Sequence, residues 1–581
     1  MEKQTLNIKL VGFMLLWFSI VFQASVFAAA TAQQAGQANA GTLLRQVQQD
    51  ISLMPIPPRT SIVLPKAAAN VLSKMHHLKF VFSKISIEET GVDLRANPEL
   101  SPTALERVFK PYYGKKISVA QLQKLVNTIS DKFMASGYIL SHFYLPAQRI
   151  NNGHVKLNIV EGFVSRLAII GDVNDKTKAL VKRIFQPVLA ARPLKNSALE
   201  HALLLLNKVP GVRGKGVLRA DKKVPNASVL SIVLSRESKL IMSKLHNHTN
   251  ALQPDLQAIL GGSFYSGSVG GQTSIWANHG LGANSNGSKS VILSYQKMLS
   301  PIAGIITVNA SWAESRPDYV ASGQPFSDEK SAVKAINVLW SKPLKLGRRL
   351  SYTLQTEFDA FDSKTDKLDV PIGPLFNDKL RVVRLGLMSE FVDGLAGRGS
   401  IKLRYSQGVK GLGAAADSRT NALLDFNKVD LSFNRIQPLF KNLRWAANVT
   451  GQFTNDRLFA SEEMSIGGNA CGSGYDSGEL IGDKAICMRN EFTYVFRPKA
   501  IKANIDFYLF HDIGEIWNNT LPLPQQLSNG SLASVGLGVR SWLSKHFFAN
   551  LYVAKPLTKT VTLEGSKQAR AFFSLTYQDK N

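Results

Sequence analysis

The chain has 581 residues, of which 45% are apolar and 19% are charged, a balance that allows a buried core and excludes an intrinsically disordered protein. Its 69 Lys and Arg against 42 Asp and Glu give a formal net charge of +27. The charges form no dense basic block, so we expect no nucleic-acid partner and favour anionic lipid headgroups or an acidic partner. Two cysteines exclude a disulfide scaffold and a multi-cysteine zinc site, although they permit one disulfide.

The first 29 residues have the order of a secretory signal. Lys3 and Lys9 precede an apolar run at 10–22, and small residues follow at 26–30. Because this run is shorter than the ~20 residues of a spanning helix, we interpret residues 1–29 as a signal peptide; a single membrane anchor is the alternative. No later stretch reaches the ~18 uninterrupted apolar residues of a membrane helix, so a membrane-embedded form of this chain has to be a β-barrel.

Residues 30–75 predict a short helix followed by a linker. Leu43, Leu44, Val47 and Ile51 recur at the spacing of an amphipathic helix. Four prolines then follow in quick succession, which blocks helix and sheet alike and favours an extended tether.

The next two segments predict a pair of similar α/β domains. Residues 76–162 read as one strand, two helices and two strands, with a turn at Asn152-Gly153. The same order recurs over residues 163–237, which indicates an internal repeat with a period of roughly 80 residues.

From residue 238 to residue 581 the pattern is one of strands only. Apolar and polar residues alternate with period two, as at 352–358 and 401–405, which suits a barrel wall between lipid and an aqueous lumen. About 340 residues at ~10 per strand plus loops accommodate 16 antiparallel strands. A soluble β-sandwich array in the periplasm is the alternative, because alternation alone does not distinguish lipid from core.

Motifs of catalysis do not stand out in the sequence. We find no G-x-S-x-G, no H-E-x-x-H and no P-loop, so hydrolase, zincin and nucleotide-binding functions have no local support. His511 and Asp512 are neighbours, but adjacent residues of a strand face opposite sides of the sheet. We therefore expect no catalytic residues, no metal, no cofactor and no enzyme activity.

Several segments together resemble one transporter family. YILSHFYLPAQ at 138–148, closing on VEG at 160–162, resembles the first polypeptide-transport-associated (POTRA) domain of two-partner-secretion transporters, the outer-membrane pores of the Omp85 superfamily that export haemolysins and adhesins. ASEEMSIGG at 460–468 resembles the strand that leads into the family's sixth extracellular loop, and FHDIG at 510–514 matches its F-x-D-x-G. The resemblance covers the whole chain in the right order.

The resemblance implies a division of labour along the chain. It implies a signal peptide at 1–29, a plug helix and linker at 30–75, POTRA 1 at 76–162, POTRA 2 at 163–237 and a membrane β-barrel at 238–581. The plug helix would carry Leu43, Leu44, Val47 and Ile51. Partner-binding residues on POTRA 1 would be Tyr138, Tyr144, Pro146 and Gln148.

The implied function is export of an unfolded secreted partner. The partner would be a large β-helical protein of the adhesin or haemolysin type, and the barrel would lie in the bacterial outer membrane among lipid and lipopolysaccharide, with the POTRA domains in the periplasm. An Omp85 assembly factor and a passive porin or receptor are the competing hypotheses. Two POTRA units, a proline tether and a plug helix favour the translocator.

One departure from the family concerns the tip of the sixth loop. The family tip is usually V-R-G-Y, whereas the aligned residues here are Gly472, Ser473, Gly474 and Tyr475. In the family the arginine pairs with the aspartate of F-x-D-x-G, which is Asp512 here. A carboxylate in a partly dehydrated lumen needs a cation or several donors, and we expect Arg489 to supply that cation.

The two cysteines, Cys471 and Cys487, fall in this proposed loop. The signal sequence directs them to an oxidising compartment, so we expect a disulfide between them. Closing a loop of ~15 residues is worth about 3 kcal/mol in the chain-entropy model, enough to order the glycine-rich tip.

Overall fold

The structure is a computed structural model. It describes residues 40–52, 78–87, 102–249, 252–253, 255–265, 270–281, 287–317, 329–368, 374–498, 503–519 and 529–580. The predicted signal peptide and most of the predicted linker lie outside the described residues. In the described part of the chain, no helix is long and apolar enough to cross a membrane.

The first α/β unit holds two small sheets and two helices. Its elements are β1 (Lys79–Val81), β2 (Lys84–Ile87), α2 (Pro102–Phe109), a 3-10 turn (Lys110–Tyr112), β3 (Lys116–Ser118), α3 (Val119–Ala135), β4 (His142–Tyr144) and β5 (His154–Val160). β1 pairs with β3, while β2, β5 and β4 form a sheet in that order, with β2 parallel to β5. The Ser118 hydroxyl and the Gln121 side chain form a capping box that begins α3.

The sequence predicts one strand over residues 80–87, whereas the structure divides it between two sheets. Phe82 lies at the break with its side chain fully buried, and the Ser83 amide donates to the Gly153 carbonyl at 2.9 Å. The apolar alternation shifts by one residue at the break, from Phe80 and Phe82 to Ile85 and Ile87, and all four side chains pack in the same core. Period-two patterning therefore predicted the strand character but not the change of partner.

The second α/β unit repeats the order of strand, two helices and two strands. Its elements are β6 (Phe163–Ile170), α4 (Asp175–Ala190), α5 (Asn196–Leu206), β7 (Val212–Ala220) and β8 (Ala227–Arg236). The sheet order is β6-β8-β7, with β6 parallel to β8. The two units are joined by backbone hydrogen bonds, from the Leu194 amide to the Gly162 carbonyl at 2.9 Å and from the Asn196 amide to the Gly137 carbonyl at 2.7 Å.

The remaining strands close into a barrel of 16 antiparallel strands, as the sequence predicted. They are β9 (Lys239–His246), β10 (Leu256–Tyr265), β11 (Gly271–Leu281), β12 (Ser288–Ser300), β13 (Gly304–Ser315), β14 (Glu329–Lys345), β15 (Leu350–Lys367), β16 (Pro374–Val392), β17 (Arg398–Gly408), β18 (Asn427–Pro438), β19 (Leu443–Phe453), β22 (Lys484–Phe496), β23 (Ile505–Trp517), β24 (Gly530–Trp542), β25 (Phe547–Pro556) and β26 (Arg570–Lys580). β26 pairs with β9 to close it, from Ser574 opposite His246 to Lys580 opposite Leu240.

The second unit docks on the turns at one end of the barrel. Met298, Ile305 and Leu346, which lie at those turns, belong to the same apolar core as Leu203 and Leu206 of α5. If the two α/β units are periplasmic POTRA domains, as the family resemblance implies, this is the periplasmic end of the barrel and the opposite loops are extracellular.

Helix α1 (Ala40–Ser52) and a long inward-folded loop fill the barrel. The loop runs from residue 454 to 483, between β19 and β22, and contains the two-stranded ribbon β20 (Met464–Ile466) and β21 (Leu480–Gly482). It is the sixth extracellular loop along the chain, and we call it loop 6.

Candidate functional site

Helix α1 lies against the inner wall of the barrel. The predicted apolar positions Leu43, Leu44 and Val47 are buried in one cluster with Ile292, Ala313 and Val333, one residue from each of β12, β13 and β14. Ile51 is partly buried next to the same cluster. The amphipathic pattern thus faces its apolar side to the barrel wall.

The carboxyl end of α1 is also held by charge. The Lys244 Nζ atom lies 2.6 Å from Asp50 Oδ1, with both side chains nearly buried. The His246 Nε2 atom lies 3.7 Å from Asp50 Oδ2, and the Gln46 side-chain amide donates to the His248 carbonyl at 2.7 Å. These contacts tie the helix to β9 and the residues just after it.

Helix α1 also contacts the root of loop 6. The Arg45 guanidinium donates to the Ser461 carbonyl. The next residue, Glu462, forms ion pairs with Arg384 at 2.7 Å and with Lys428 at 2.8 Å, and all three side chains are less than a tenth exposed. The sequence analysis missed this cluster, because it depends on strands far apart in the chain and no local motif marks it.

The tip of loop 6 reaches the aspartate of the FHDIG segment. Asp512 is fully buried, and its carboxylate accepts hydrogen bonds from the Ser473 amide at 2.7 Å and from the Ser534 hydroxyl at 3.0 Å. Its other oxygen lies 3.3 Å from Arg489 Nη1. Ser473 therefore contributes its backbone donor, while the cation comes from the barrel wall.

Arg489 is positioned by the sheet itself. It lies directly opposite Asp512 in the register between β22 and β23, its guanidinium stacks over the Phe510 ring at 4.0 Å, and it donates to the Ser473 hydroxyl at 2.5 Å. The guanidinium thus bridges the loop tip and the aspartate, at the position where the sequence analysis expected a substitute cation. His511, which lies between Phe510 and Asp512 in the chain, faces outward and is exposed.

A disulfide joins Cys471 to Cys487. Cys471 precedes the tip in loop 6, whereas Cys487 belongs to the barrel strand β22. The bond therefore attaches the loop tip to the wall rather than closing a turn within the loop.

The other tip residues fit closely against the wall. A Cβ atom on Gly474 would lie 2.9 Å from the Pro556 backbone nitrogen, and Gly472 has φ +94°, so both positions favour glycine. The Tyr475 hydroxyl donates to the Ala533 carbonyl at 3.2 Å and accepts from the Lys559 amide at 3.3 Å. All four predicted tip residues thus lie in one packed site.

Two further carboxylates of loop 6 are paired with the last extracellular loop and its strand. Asp476 lies 2.7 Å from Arg570, and Glu479 lies 2.7 Å from Lys559, while both carboxylates are fully buried. Local sequence patterns did not predict these pairs. Their only signal in the sequence is the density of acidic residues after the tip.

The predicted partner-binding residues of POTRA 1 lie around strand β4, which is an edge of its sheet. Tyr138 stacks on Phe133 at 4.6 Å. Tyr144 ends the strand, and Pro146 follows it. The Gln148 side chain donates to the Lys156 carbonyl and accepts from the Lys156 amide, both at 2.7 Å. These two hydrogen bonds continue the pairing of the sheet, so the side-chain amide of Gln148 is already engaged.

The outer side of β4 is occupied by a serine of α3. The Ser130 hydroxyl donates to the Phe143 carbonyl at 3.2 Å and accepts from the Phe143 amide at 2.9 Å, in a buried position. His142 and Tyr144 pair inward with β5, and burial lowers the pKa of His142. The edge strand around which the predicted partner-binding residues lie is thus covered at its middle residue.

No group of three or more His, Cys, Asp or Glu side chains that could hold a metal occurs among the described residues.

Comparisons with known proteins agree with this arrangement. Residues 377–541 match the family of haemolysin secretion/activation proteins ShlB/FhaC/HecB, and residues 88–162 match the ShlB-type POTRA domain. The chain is 23% identical over 541 residues to the heme/hemopexin transporter protein HuxB of Haemophilus influenzae (strain 86-028NP), covering 90% of this chain and 92% of the relative. It is 23% identical over 458 residues to the outer membrane transporter CdiB of Dickeya dadantii (strain 3937), covering 77% and 79%.

Two solved structures share the fold. CdiB from Escherichia coli superposes with a TM-score of 0.68 at 16% identity, covering 96% of this chain and all (100%) of that one. CdiB from Acinetobacter baumannii gives a TM-score of 0.62 at 16% identity, with 96% and 100% coverage. Together with the closed barrel, the docked α/β units and the plugged lumen, these matches assign residues 377–541 to the ShlB/FhaC/HecB family and residues 88–162 to a ShlB-type POTRA domain, and they indicate an outer-membrane transporter of the two-partner-secretion type with POTRA domains in the periplasm.

Proposed function

We propose that this transporter captures one large secreted protein in unfolded form on its POTRA domains and exports it through the barrel lumen. The observation that carries the proposal is the plugged lumen: a helix held by non-covalent contacts lies in a barrel whose periplasmic mouth carries the POTRA units. A passive porin would need neither feature. The partner class that best fits the family resemblance is a β-helical adhesin or haemolysin.

Capture would take place along β4 of POTRA 1. An unfolded chain has free backbone donors and acceptors, and an edge strand offers a matching row. Because the Ser130 hydroxyl occupies the Phe143 backbone groups, an incoming strand has to displace it. The Phe143 backbone would then exchange two hydrogen bonds with the Ser130 hydroxyl for two with the backbone of the incoming strand. This exchange is nearly neutral in free energy, so binding would be reversible.

The lumen offers a polar path for the exported chain. Asn309, Asn337 and Asp359 form a hydrogen-bonded row along the inner wall, as expected of a water-filled channel. No nucleotide is needed if the partner folds outside, because folding of each emerged segment opposes its return. We accordingly propose a transport role without enzyme activity, with lipopolysaccharide as a lipid neighbour of the barrel.

The alternative function is that of an assembly factor for other barrels. One test examines the placement of capture on POTRA 1, and a second separates the two functions. Deleting residues 76–162 should leave an inserted, heat-modifiable barrel that no longer binds or exports its partner, whereas unimpaired secretion by this variant would overturn the placement of capture on POTRA 1.

Deleting the gene should remove one large polypeptide from the medium with the outer-membrane barrel profile unchanged, whereas a broad loss of barrels would favour the assembly factor.

A further inference from the structure

One side of the barrel is much taller than the other. Strands β14, β15 and β16 have 17, 18 and 19 residues, whereas β9, which belongs to the closing pair, and its neighbour β10 have 8 and 10. The tall wall therefore projects further through the membrane, and its outward face meets lipid over a longer span.

The outward face of the tall wall changes character near its extracellular end. Its lower part is apolar, with Ile336, Val383 and Leu385 about half exposed, as a lipid-facing belt requires. Lys334 lies on the same face as Ile336 and two residues closer to the extracellular end. At a rise of 3.3–3.4 Å per residue, the apolar belt is therefore followed by a charged residue within ~7 Å. Trp312 lies directly opposite Lys334 on β13, at the depth where aromatic residues border the headgroups.

Three exposed lysines lie together at this level. Lys334, Asp362 and Lys379 are direct neighbours across β14, β15 and β16, and Lys364 lies two residues above Asp362 on the same face; all three lysines are exposed. We call Lys334, Lys364 and Lys379 the lysine cluster. Cations that directly follow an apolar, lipid-facing belt lie at the level where headgroups are expected.

The acidic residues nearby leave the cluster positive. Asp362 is already bound by Arg381 at 2.7 Å, and the Arg381 side chain is only 13% exposed. Lys364 pairs with Asp366 at 2.8 Å in an exposed position, a contact worth little in water. Within the described residues, Lys334 and Lys379 form no ion pair, so two ammonium groups flank a neutralised aspartate.

We propose that the lysine cluster binds the phosphate groups of lipid A, the phosphorylated anchor of lipopolysaccharide, in the outer leaflet. Ammonium groups are strong donors to phosphate, and clusters of basic side chains at the headgroup level are the usual sign of anionic-lipid recognition. The proposal rests on the outer-membrane placement of the barrel and not on export of a partner.

The test titrates the full-length protein in a neutral detergent with bisphosphorylated lipid A and follows the complex by native mass spectrometry. The variant K334E/K364E/K379E should bind at least about tenfold more weakly, because each basic residue near an anionic headgroup strengthens binding several-fold. The matched control is K297E/K342E/K345E, which makes the same charge change on outward-facing lysines at the periplasmic end of β12 and β14, and it should bind lipid A as the unchanged protein does. A Lys→Gln version of the cluster variant serves if charge reversal prevents folding.

Two further arms identify the ligand. Removing both phosphates from lipid A should produce the same loss as the cluster variant, and neither phosphatidylglycerol nor inorganic pyrophosphate should compete at equal concentration. Equal loss in both triple variants, undiminished binding of dephosphorylated lipid A, or full competition by phosphatidylglycerol or by pyrophosphate would each overturn the proposal. Because lipid A binding and secretion are measured separately, export can fail while binding persists, or the reverse.

Discussion

Loop 6 and helix α1 both occupy the lumen, but they are held in different ways. Loop 6 is attached to β22 by a disulfide, and its buried carboxylates pair with cations of the wall and of the last extracellular loop. Helix α1 has no covalent attachment to the wall. Its contacts with the wall and loop 6 include one apolar cluster, the pairing of Asp50 with Lys244 and His246, and hydrogen bonds of Ala40, Arg45 and Gln46.

The difference indicates which plug opens. Moving loop 6 would break a covalent bond and leave several buried charges without partners, and each such charge costs several kcal/mol. Releasing α1 exposes a few apolar side chains at about 1.5–3 kcal/mol each. It also breaks the Asp50–Lys244 ion pair and the hydrogen bonds of Arg45 and Gln46, but no covalent bond. We therefore infer that loop 6 acts as part of the wall and that α1 is the movable part. The following experiments test this contrast.

The largest effect should follow from releasing the loop tip completely. In C471S/C487S protein, the further change Asp512→Ala leaves Arg489 without its main anion and removes the acceptor of the Ser473 amide, at a cost of about 3–5 kcal/mol on top of the lost disulfide. Loop 6 should then become accessible to protease from the outside of the cell.

The control for this variant is Asp506→Ala in the same background. Asp506 lies at the periplasmic end of the same strand and pairs with Arg444 and Arg540, far from the loop tip. Equal cleavage of loop 6 in both variants would show that the aspartate at 512 does not hold the tip.

The next largest effect concerns the helix. Lys244→Met should leave the buried Asp50 carboxylate uncompensated, which costs about 3–5 kcal/mol and displaces α1. Single-channel conductance in planar bilayers should rise. The double variant D50N/K244M should restore much of the closed state, since neither charge remains; a double variant as open as the single one would contradict an ion-pair hold.

Removing the disulfide alone should have a smaller effect. C471S/C487S loses about 3 kcal/mol of constraint in the chain-entropy model, but the tip keeps its bonds to Asp512. We expect conductance to stay low and the unfolding midpoint in denaturant to fall. An open channel in this variant would mean that the ion pairs alone do not keep loop 6 in place.

The smallest effect is expected from Gln46→Ala. This change removes one neutral hydrogen bond, worth about 0.5–1.5 kcal/mol, and leaves the apolar face of α1 intact. Brief openings should become more frequent without a stable open state. Conductance as high as that of Lys244→Met would place the main hold of the helix at Gln46 instead.

The sequence predicted the features that local patterns encode. Period-two alternation predicted the strands and the length of the region predicted 16 of them, while the spacing of Leu43, Leu44 and Val47 predicted the helix face that is buried. The cluster of Glu462 with Arg384 and Lys428 could not be predicted in this way, because it requires the return path of loop 6 and the register of β16 and β18. Such contacts depend on tertiary placement, which periodicity does not report.

The covering of the POTRA 1 edge was missed for a similar reason. A serine in the middle of an amphipathic helix looks like a tolerated polar residue, and only the packing of α3 against β4 places the Ser130 hydroxyl on Phe143. Gln148, a predicted partner-binding residue, has its amide engaged with the backbone of Lys156 in β5, a contact that local patterning does not reveal. Edge strands are often protected in this manner.

The docking of POTRA 2 on the barrel turns bears on how this transporter can be recombined with its relatives. Met298, Ile305 and Leu346 of the barrel share an apolar core with Leu203 and Leu206, so a graft that replaces residues 163–237 alone would set foreign side chains against native turns. Such a hybrid should assemble poorly unless those three turn positions travel with the donor domain. The natural unit of exchange is therefore POTRA 2 together with the rim on which it sits, and the boundary for a swap lies ahead of it in the chain.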